Sequence, residues 1–244
     1  MKWFNLLILI ALVCSCKKPE QRACFKKSGE LSIRTYDFGS FNQLHLKEHL
    51  SYKLIQDSTN KVIVRGGNNL LNFVEVIGEN GQLTIENKNR CNYLRSYEIP
   101  EVEIHYTKLI NILFEGTEHL YNEDTLITDY LTLTLRDGAG HMELNVKAID
   151  INAINTHGWG RLTLKGETQT LRGNLMGDGK FDFSQVTVSN QVKLITSSSI
   201  DQRVKAVGIP LNVELNGIGN VYYYGLPSVI NNVQYGKGKL INVQ

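Results

Sequence analysis

The stretch NGIGNVYYYG, residues 216–225, places a G-x-G immediately before a run of strand-forming residues. The same arrangement recurs in DGAGHMEL, HGWGRLTL, MGDGKFDF and YGKGKLIN, whose first glycines stand at positions 138, 158, 177 and 236. One glycine-rich loop can bind a phosphate, but a loop that returns at nearly equal intervals is the signature of a solenoid. The spacing therefore predicts a β-helix with coils of about 20 residues.

The glycine pairs are predicted to form the coil corners, where glycine tolerates a positive φ and lets neighbouring backbones approach closely. Two further coils carry degenerate corners. Gly116 lies 22 residues before Gly138, and the 40-residue interval from Gly177 to Gly217 holds Ser197 and Ser199 at the expected position. The predicted corner residues are Gly138, Gly140, Gly158, Gly160, Gly177, Gly179, Gly217, Gly219, Gly236 and Gly238.

An apolar residue stands at the second position after each glycine pair, as a continuous interior stack requires when coils lie about 4.8 Å apart. These residues are Met142, Leu162, Phe181, Val221 and Leu240. In the coil with the serines the same position falls on Asp201, which predicts a local irregularity there.

The rest of the chain from residue 31 onward alternates strand and turn. Segments such as LSIRTYDF, KVIVRG, QLTIEN, EVEIHY and LTLTLRD show the period-two alternation of half-buried strands. Residues 68–80 are ambiguous and could hold one helical turn. The sequence predicts an all-β protein, with one domain over residues 31–244.

The first residues, MKWFNLLILIALVCSC, carry a lysine and then a short apolar run. About twelve apolar residues are too few to span a bilayer of roughly 30 Å but match the core of a secretion signal. Val13-Cys14-Ser15-Cys16 resembles a bacterial lipobox, and Cys16 fits it better than Cys14 because a small residue precedes Cys16. We predict a signal peptide over 1–15, lipid attachment at Cys16 and a polar tether over 16–30, with an ordinary signal peptide as the alternative.

Two cysteines then remain in the exported part, Cys24 and Cys91. In an oxidising compartment an isolated pair is more often bridged than catalytic, and the chain has no C-x-x-C motif. A disulfide between Cys24 and Cys91 is predicted, with two free buried thiols as the alternative.

The segments GIGNVYYYGLP at 217–227 and YGKGKLINV after it resemble the bacterial auto-transporter adhesin family that carries the head GIN domain. VIVRGGNNLLNFVEVIGENGQLTIENKN, residues 62–89, is similar to the first half of that domain. The resemblance covers nearly the whole chain after residue 30. It implies a right-handed parallel β-helix and an exported protein or lipoprotein of the Bacteroidetes type, and only weakly implies adhesion.

Potential metal ligands were considered along the corners. His119 and His141 should lie in neighbouring coils, in a polar row that continues with Arg161, Lys180, Ile200, Asn220 and Lys239. A third ligand is missing from that row, so no metal is predicted. Asp178 and Asp182 lack the nine-residue repeat of calcium-binding β-rolls.

Catalytic groups do not converge in the sequence. The acids Glu123, Asp124, Asp129 and Asp137 are scattered near turns, and the serines at 197–199 lack a nucleophile motif. We predict no catalytic residue and no cofactor. The three tyrosines Tyr222, Tyr223 and Tyr224 could bind sugars but, because they alternate in direction, are expected to pack against the final coils.

The net charge of +2 is too small to predict nucleic-acid binding. The leading hypothesis is a lipid-anchored, non-catalytic outer-membrane lipoprotein that binds a glycan or an envelope or host protein, facing either the periplasm or the cell surface. The alternatives are a polysaccharide-acting enzyme and a structural component of the periplasmic envelope.

Overall fold

The computed structural model describes residues 27–89 and 98–243. The described chain is almost entirely β-structure, as predicted, with one helical turn α1 (Asn68–Leu71). The strands are β1 (Leu31–Asp37), β2 (Gln43–Leu46), β3 (Ser51–Gln56), β4 (Lys61–Gly67), β5 (Val74–Glu79), β6 (Gln82–Asn87), β7 (Glu101–Tyr106), β8 (Asn111–Phe114), β9 (His119–Asn122), β10 (Leu126–Ile127), β11 (Tyr130–Leu135), β12 (His141–Asn155), β13 (Arg161–Leu175), β14 (Lys180–Thr196), β15 (Gln202–Lys205), β16 (Pro210–Leu215), β17 (Val221–Tyr224), β18 (Val229–Gln234) and β19 (Leu240–Val243).

Several sequence predictions fall outside the described residues. They are the signal peptide over 1–15, the lipidated Cys16, most of the tether over 16–30, and the disulfide between Cys24 and Cys91. These remain predictions.

Parallel strand pairing stacks the coils into two ladders that run the length of the solenoid. One ladder contains β7, β3, β9, β12, β13, β14, β15, β17 and β19. The other contains β6, β2, β8, β11, β12, β13, β14, β16 and β18. His141 aligns with Arg161, and Arg161 aligns with Lys180, so these neighbouring coils are offset by 20 and 19 residues. The predicted parallel solenoid is confirmed.

The core consists of columns of apolar side chains, one from each coil. Met142, Leu162, Phe181 and Val221 are fully buried, as the spacing predicted. Gly173 faces this interior, where a Cβ would press on Leu194 and on the ring of Phe181. Burying one large aliphatic or aromatic side chain contributes about 1.5–3 kcal/mol, so these columns supply most of the driving force for stacking.

The glycine corners are explained by close backbone approach. A Cβ on Gly138 would overlap the carbonyl oxygen of Gly116, and a Cβ on Gly158 would lie 2.6 Å from that of Gly138. The same overlap occurs between Gly217 and Ser198 and between Gly236 and Gly217. Of the ten corner glycines, Gly158 alone has a positive φ. The predicted positive φ therefore occurs at one corner, whereas the predicted close approach of neighbouring backbones occurs at all four corners named here.

The coil with the serines is shifted by one residue from the predicted alignment. Gly217 and Gly219 stack on Ser198 and Ile200 rather than on Ser197 and Ser199. The interior position falls on Gln202, which is fully buried, and not on Asp201. The physical reason is that the interval from Gly177 to Ser198 is 21 residues, one more than the mean coil.

The N-terminal end is not a simple continuation of the parallel coils. Strand β4 extends the first ladder by pairing antiparallel with β7, and β1 pairs antiparallel with β4. At the end of the second ladder, β5 pairs antiparallel with β6. Strands β6 and β7 also stack outside β2 and β3, although they come later in the chain. These strands cover the edge that the end coil would otherwise expose to another chain.

Candidate functional site

A recess of about 550 Å³ lies along the corners of three successive coils in the regular part of the solenoid. It is lined by Trp159, Arg161, Asp178, Lys180, Ser199 and Ile200. The side chain of Trp159 is 71% exposed, unusually high for a large apolar ring. This set, the corner recess, is the best candidate for a ligand-binding surface.

The corner geometry explains why these side chains face solvent. In each G-x-G the glycines pack closely against the preceding coil, at least one of them against its backbone, so the central residue is the one free to project outward. Trp159 and Asp178 are such central residues, and Arg161 and Lys180 begin the strands that follow. The corner can therefore vary its central residue without disturbing the core.

The recess carries a net positive charge, because two cations and one carboxylate line it. Arg161 and Lys180 are neighbours in the strand register, and neither forms an ion pair with any residue of 27–89 or 98–243. Asp178 is engaged instead by the backbone N–H of Ser199, at 2.8 Å from Oδ1, and this hydrogen bond lowers the pKa of Asp178. An exposed indole face beside two free cations can stack on a ring and bind its anionic substituents.

The polar row beside the corners is observed with one correction. His119, His141 and Arg161 align in successive strands, and Lys180 follows. The next member is Asp201 and not Ile200, because the coil that contains Ser197 to Ser199, the serine coil, is shifted by one residue. Asp201 accepts a hydrogen bond from the N–H of Asn220 at 2.8 Å, and the Asn220 side chain accepts one from the N–H of Lys239 at 3.0 Å.

Two residues of this row form a cluster with a carboxylate. The rings of His119 and His141 are stacked with centroids 5.3 Å apart. Glu143 lies two residues beyond His141 on the same face of β12, and ligand atoms of all three residues lie within 4.8 Å of one another. The third ligand lies outside the row itself, at the next outward-facing position of the strand, where the period-two alternation of β-strands places Glu143.

The acids considered for catalysis are occupied by separate partners. Glu123 pairs with Lys53 at 2.8 Å, Asp129 pairs with Lys108 at 3.0 Å, and Asp137 lies 3.9 Å from Arg136. Asp182 accepts hydrogen bonds from Ser184, whereas Asp178 is held by Ser199. Neither an acid pair nor a calcium cradle is assembled from these residues.

A buried imidazole near the N-terminal end contacts two carboxylates. His105 Nδ1 lies 2.6 Å from Asp57 Oδ2, and its Nε2 lies 2.8 Å from Glu103 Oε1. Burial raises the pKa of Asp57, but hydrogen bonds from His105 and Thr59 outweigh it and lower that pKa to about 2. Both ring nitrogens are engaged, so this arrangement holds coils together and is not poised to deprotonate a substrate.

The three tyrosines lie on β17, between β15 and β19. All three are half-buried, and Tyr223 packs against the hydrophobic core, opposite in direction to its neighbours. They pack against the final coils as expected, but β19 and not the tyrosines ends this ladder.

None of the helical structure in residues 27–89 and 98–243 is long and apolar enough to cross a bilayer.

The chain was compared with known proteins. A family model described as "Putative auto-transporter adhesin, head GIN domain" matches residues 40–227. No protein with a curated description matches.

Solved structures share the fold. A putative adhesin from Bacteroides fragilis is 20% identical, with a TM-score of 0.76 over 88% of this chain and 97% of that one. A putative adhesin from Parabacteroides merdae is 18% identical, with a TM-score of 0.65 over 88% and 97%. A structure from Parabacteroides distasonis described as a putative lipid binding protein is 14% identical, with a TM-score of 0.60 over 88% and 98%. At these identities the likeness concerns the fold.

Proposed function

The chain belongs to the family of putative auto-transporter adhesins with the head GIN domain, and from this premise we propose that it is a non-catalytic cell-envelope module that binds acidic glycans through the corner recess. The observation that carries this proposal is the exposed Trp159 beside the unpaired cations Arg161 and Lys180.

The chemistry of the recess favours a sugar with carboxylate or sulfate groups. An indole face offers a flat apolar surface for one face of a sugar ring. Arg161 donates through a planar fork that matches an anion with two oxygens, and Lys180 adds a second positive charge one coil away. Because coils repeat about every 4.8 Å, the recess presents these groups along a line suited to an extended chain.

Intrinsic fluorescence offers a direct test of the recess. The chain has two tryptophans, and one of them, Trp3, lies in the predicted signal peptide. Titration of the exported chain with polygalacturonate should therefore change the emission of Trp159, whereas neutral dextran should not. Binding should weaken as salt is added, since the cationic contacts are exposed.

Variants distinguish binding at the corner recess from nonspecific binding elsewhere on the surface. Trp159→Ala should weaken binding up to about tenfold through loss of ring stacking, and Arg161→Gln and Lys180→Gln should each weaken it about tenfold or more through loss of a charged hydrogen bond. Tyr235→Ala is the matched control, since Tyr235 is an equally exposed aromatic (77%) in another coil. Equal binding by all four variants would contradict the proposal, and Trp159-dependent capture of a protein but not of acidic glycans would reassign the surface.

The proposal includes a lipid anchor at Cys16, supported by the lipobox-like sequence before it. Acyl chains contribute about 0.8 kcal/mol per buried methylene, enough together to hold a protein on a membrane. Cys16→Ala should release the protein from the membrane fraction of the native host, whereas Cys14→Ala should leave it bound. Retention of the Cys16→Ala protein would remove the anchor from the proposal.

The face of the membrane is tested by protease treatment of intact and lysed cells, followed with an antibody against the C-terminal coils. Digestion on intact cells would place the recess outside and support binding of external glycans. Protection until lysis would contradict a role in adhesion to a host and direct the search to periplasmic polysaccharides.

A further inference from the structure

The cluster of His119, His141 and Glu143 has the composition of a transition-metal site. Two imidazoles and one carboxylate, with a remaining position open to solvent, form a ligand set that zinc uses in proteins. The Nε2 atom of His119 is shielded from solvent, has no hydrogen-bond partner within the described residues, and lies 3.8 Å from Glu143 Oε2. We propose that these three residues bind one Zn²⁺ ion, or a similar borderline divalent metal, between two coils.

Small side-chain rotations bring the ligands to coordination distance. Tetrahedral ligands about 2.0–2.1 Å from zinc lie about 3.3 Å from one another. The ligand atoms here lie within 4.8 Å. His119 is half-exposed on the strand surface, so its ring can turn without disturbing the core.

Neighbouring side chains already orient two of the ligands. Lys165 Nζ lies 2.6 Å from Glu143 Oε1, which leaves Oε2 directed at His119. The Thr163 hydroxyl lies 2.9 Å from His141 Nε2 and fixes that ring. Partners of this kind position the ligands of metal sites and raise affinity.

The positive charge of Lys165 repels a Zn²⁺ ion bound nearby. However, the Lys165 ammonium contacts Oε1 of Glu143, so Oε2 of the same carboxylate remains available to the metal. The site opens to a recess of about 370 Å³ that Tyr121 and Asn145 also line, so water can complete the coordination. This recess is separate from the corner recess, and the metal proposal stands without the glycan proposal.

A metal at this position joins β9 to β12, because His119 belongs to one strand and both other ligands belong to the next. A ligand that binds the folded state alone raises the midpoint of thermal unfolding. At ten times the dissociation constant we expect a rise of about 3 °C.

Zinc binding is measured by equilibrium dialysis of the protein purified without a histidine tag, with free cysteines blocked by iodoacetamide. One Zn²⁺ per chain should bind, and His119→Ala, His141→Ala and Glu143→Gln should each weaken binding at least about tenfold. Co²⁺ as a substitute should give the intense visible absorption of a four-coordinate ion. His157→Ala, at an exposed histidine in the corner before Trp159, is the matched control and should bind zinc like the unaltered protein.

A binding constant unchanged in all three ligand variants would overturn the proposal, as would equal losses in the His157→Ala protein. Thermal unfolding of each variant without metal shows whether it is folded. A variant that unfolds at the normal temperature and binds no zinc supports the site. Normal zinc binding by such a folded variant excludes that residue as a ligand.

Discussion

The N-terminal half of this solenoid (β1 to β11) and its C-terminal half (β12 to β19) close their corners by different means. In the N-terminal half, charged side chains connect the coils: Glu115 accepts from His45 and Arg136, which come from the coils on either side of it. In the C-terminal half, glycines let one coil rest directly on the backbone of the previous one, as Gly236 rests on Gly217. The same parallel stacking is thus reached by side-chain pairing in one half and by backbone contact in the other.

This difference indicates which half tolerates amino-acid substitution and which half is sensitive to pH. A corner closed by backbone contact has no space for a methyl group on its glycines, but the contact itself involves no titratable group. A corner closed by ion pairs has adaptable side chains, but its stability depends on their charge. Substitution should therefore damage the C-terminal half most, and acid should damage the N-terminal half most.

The largest effect is expected for Gly217→Ala. The added Cβ would overlap the carbonyl oxygen of Ser198, so the two coils must separate, at a cost of about 2–3 kcal/mol in the free energy of unfolding. Urea unfolding measures this cost. Gly39→Ala is the control, because no atom lies within 4 Å of the Cβ it would gain, and similar losses in both variants would show that backbone contact is not the cause.

The next effect is expected for Gln202→Met, in the one C-terminal coil whose corner lacks glycines. The buried Gln202 side chain accepts from the N–H of Phe181 at 2.6 Å and donates to the carbonyls of Gly179 and Ile200 at 3.1 and 2.6 Å. Methionine fills the same space but leaves these groups unpaired, which should cost about 2 kcal/mol. An unchanged unfolding midpoint in urea would mean that the amide does not substitute for the missing corner contact.

Acid should loosen the N-terminal half selectively. The folded-state pKa of Asp57 is about 2 against an ordinary value of 3.8, so its contribution is complete above about pH 4 and is lost as the pH falls through 2. For a carboxylate about one-third exposed, solvent screening limits this contribution to about 1 kcal/mol. The pKa values of Glu103 and Glu115 are also lowered, since hydrogen bonds from arginine and histidine outweigh burial.

Hydrogen exchange between pH 2 and pH 5, corrected for the intrinsic rate, distinguishes the halves. Amides of β3 and β7 should lose protection before those of β13 and β14. In Asp57→Asn the acid sensitivity of β3 and β7 should be reduced. Simultaneous loss of protection in both halves would show that the solenoid unfolds as one unit and would contradict a selective effect of acid on the N-terminal half.

The smallest expected effect is an increase in the free energy of unfolding. Asn155 is fully buried in the C-terminal half, and its side-chain amide has no hydrogen-bond partner among the described residues. Its column neighbours Leu135 and Leu175 are apolar, so Asn155→Leu should raise the free energy of unfolding by up to about 1 kcal/mol. A decrease in the unfolding midpoint would indicate that the amide binds an internal water.

The sequence predicted the C-terminal half far better than the N-terminal half. Glycine pairs recur there because close contact with the preceding coil favours them at every corner except the one formed by Ser198 and Ile200, and this preference produces a regular spacing in the sequence. Ion pairs can be made by many residues at many positions, so the N-terminal corners produce no regular spacing in the sequence. The out-of-order stacking of β6 and β7 outside β2 and β3 depends on contacts distant in sequence, and no local signal encodes it.

The candidate sites show the same limit. His119 and His141 were aligned correctly from their distance to the corners, because both belong to regular coils. Glu143 was missed because the search followed one row and not the next outward position of the strand. The corner recess was not predicted, because nothing in the sequence distinguishes Trp159 from the other residues that stand between two glycines. In addition, the coil that contributes Ser199 and Ile200 is shifted by one residue from the predicted alignment.

The coil offset of 19 to 22 residues has a consequence for how this molecule can change its length. Because each coil pairs with its neighbours residue by residue, the unit that can be duplicated or lost without misaligning the rest is a whole coil. One such event would move everything beyond it by about 4.8 Å along the axis. The solenoid is thus a spacer adjustable in steps of one coil, in which a surface on the coils beyond the change can be moved along the axis while its own geometry is preserved.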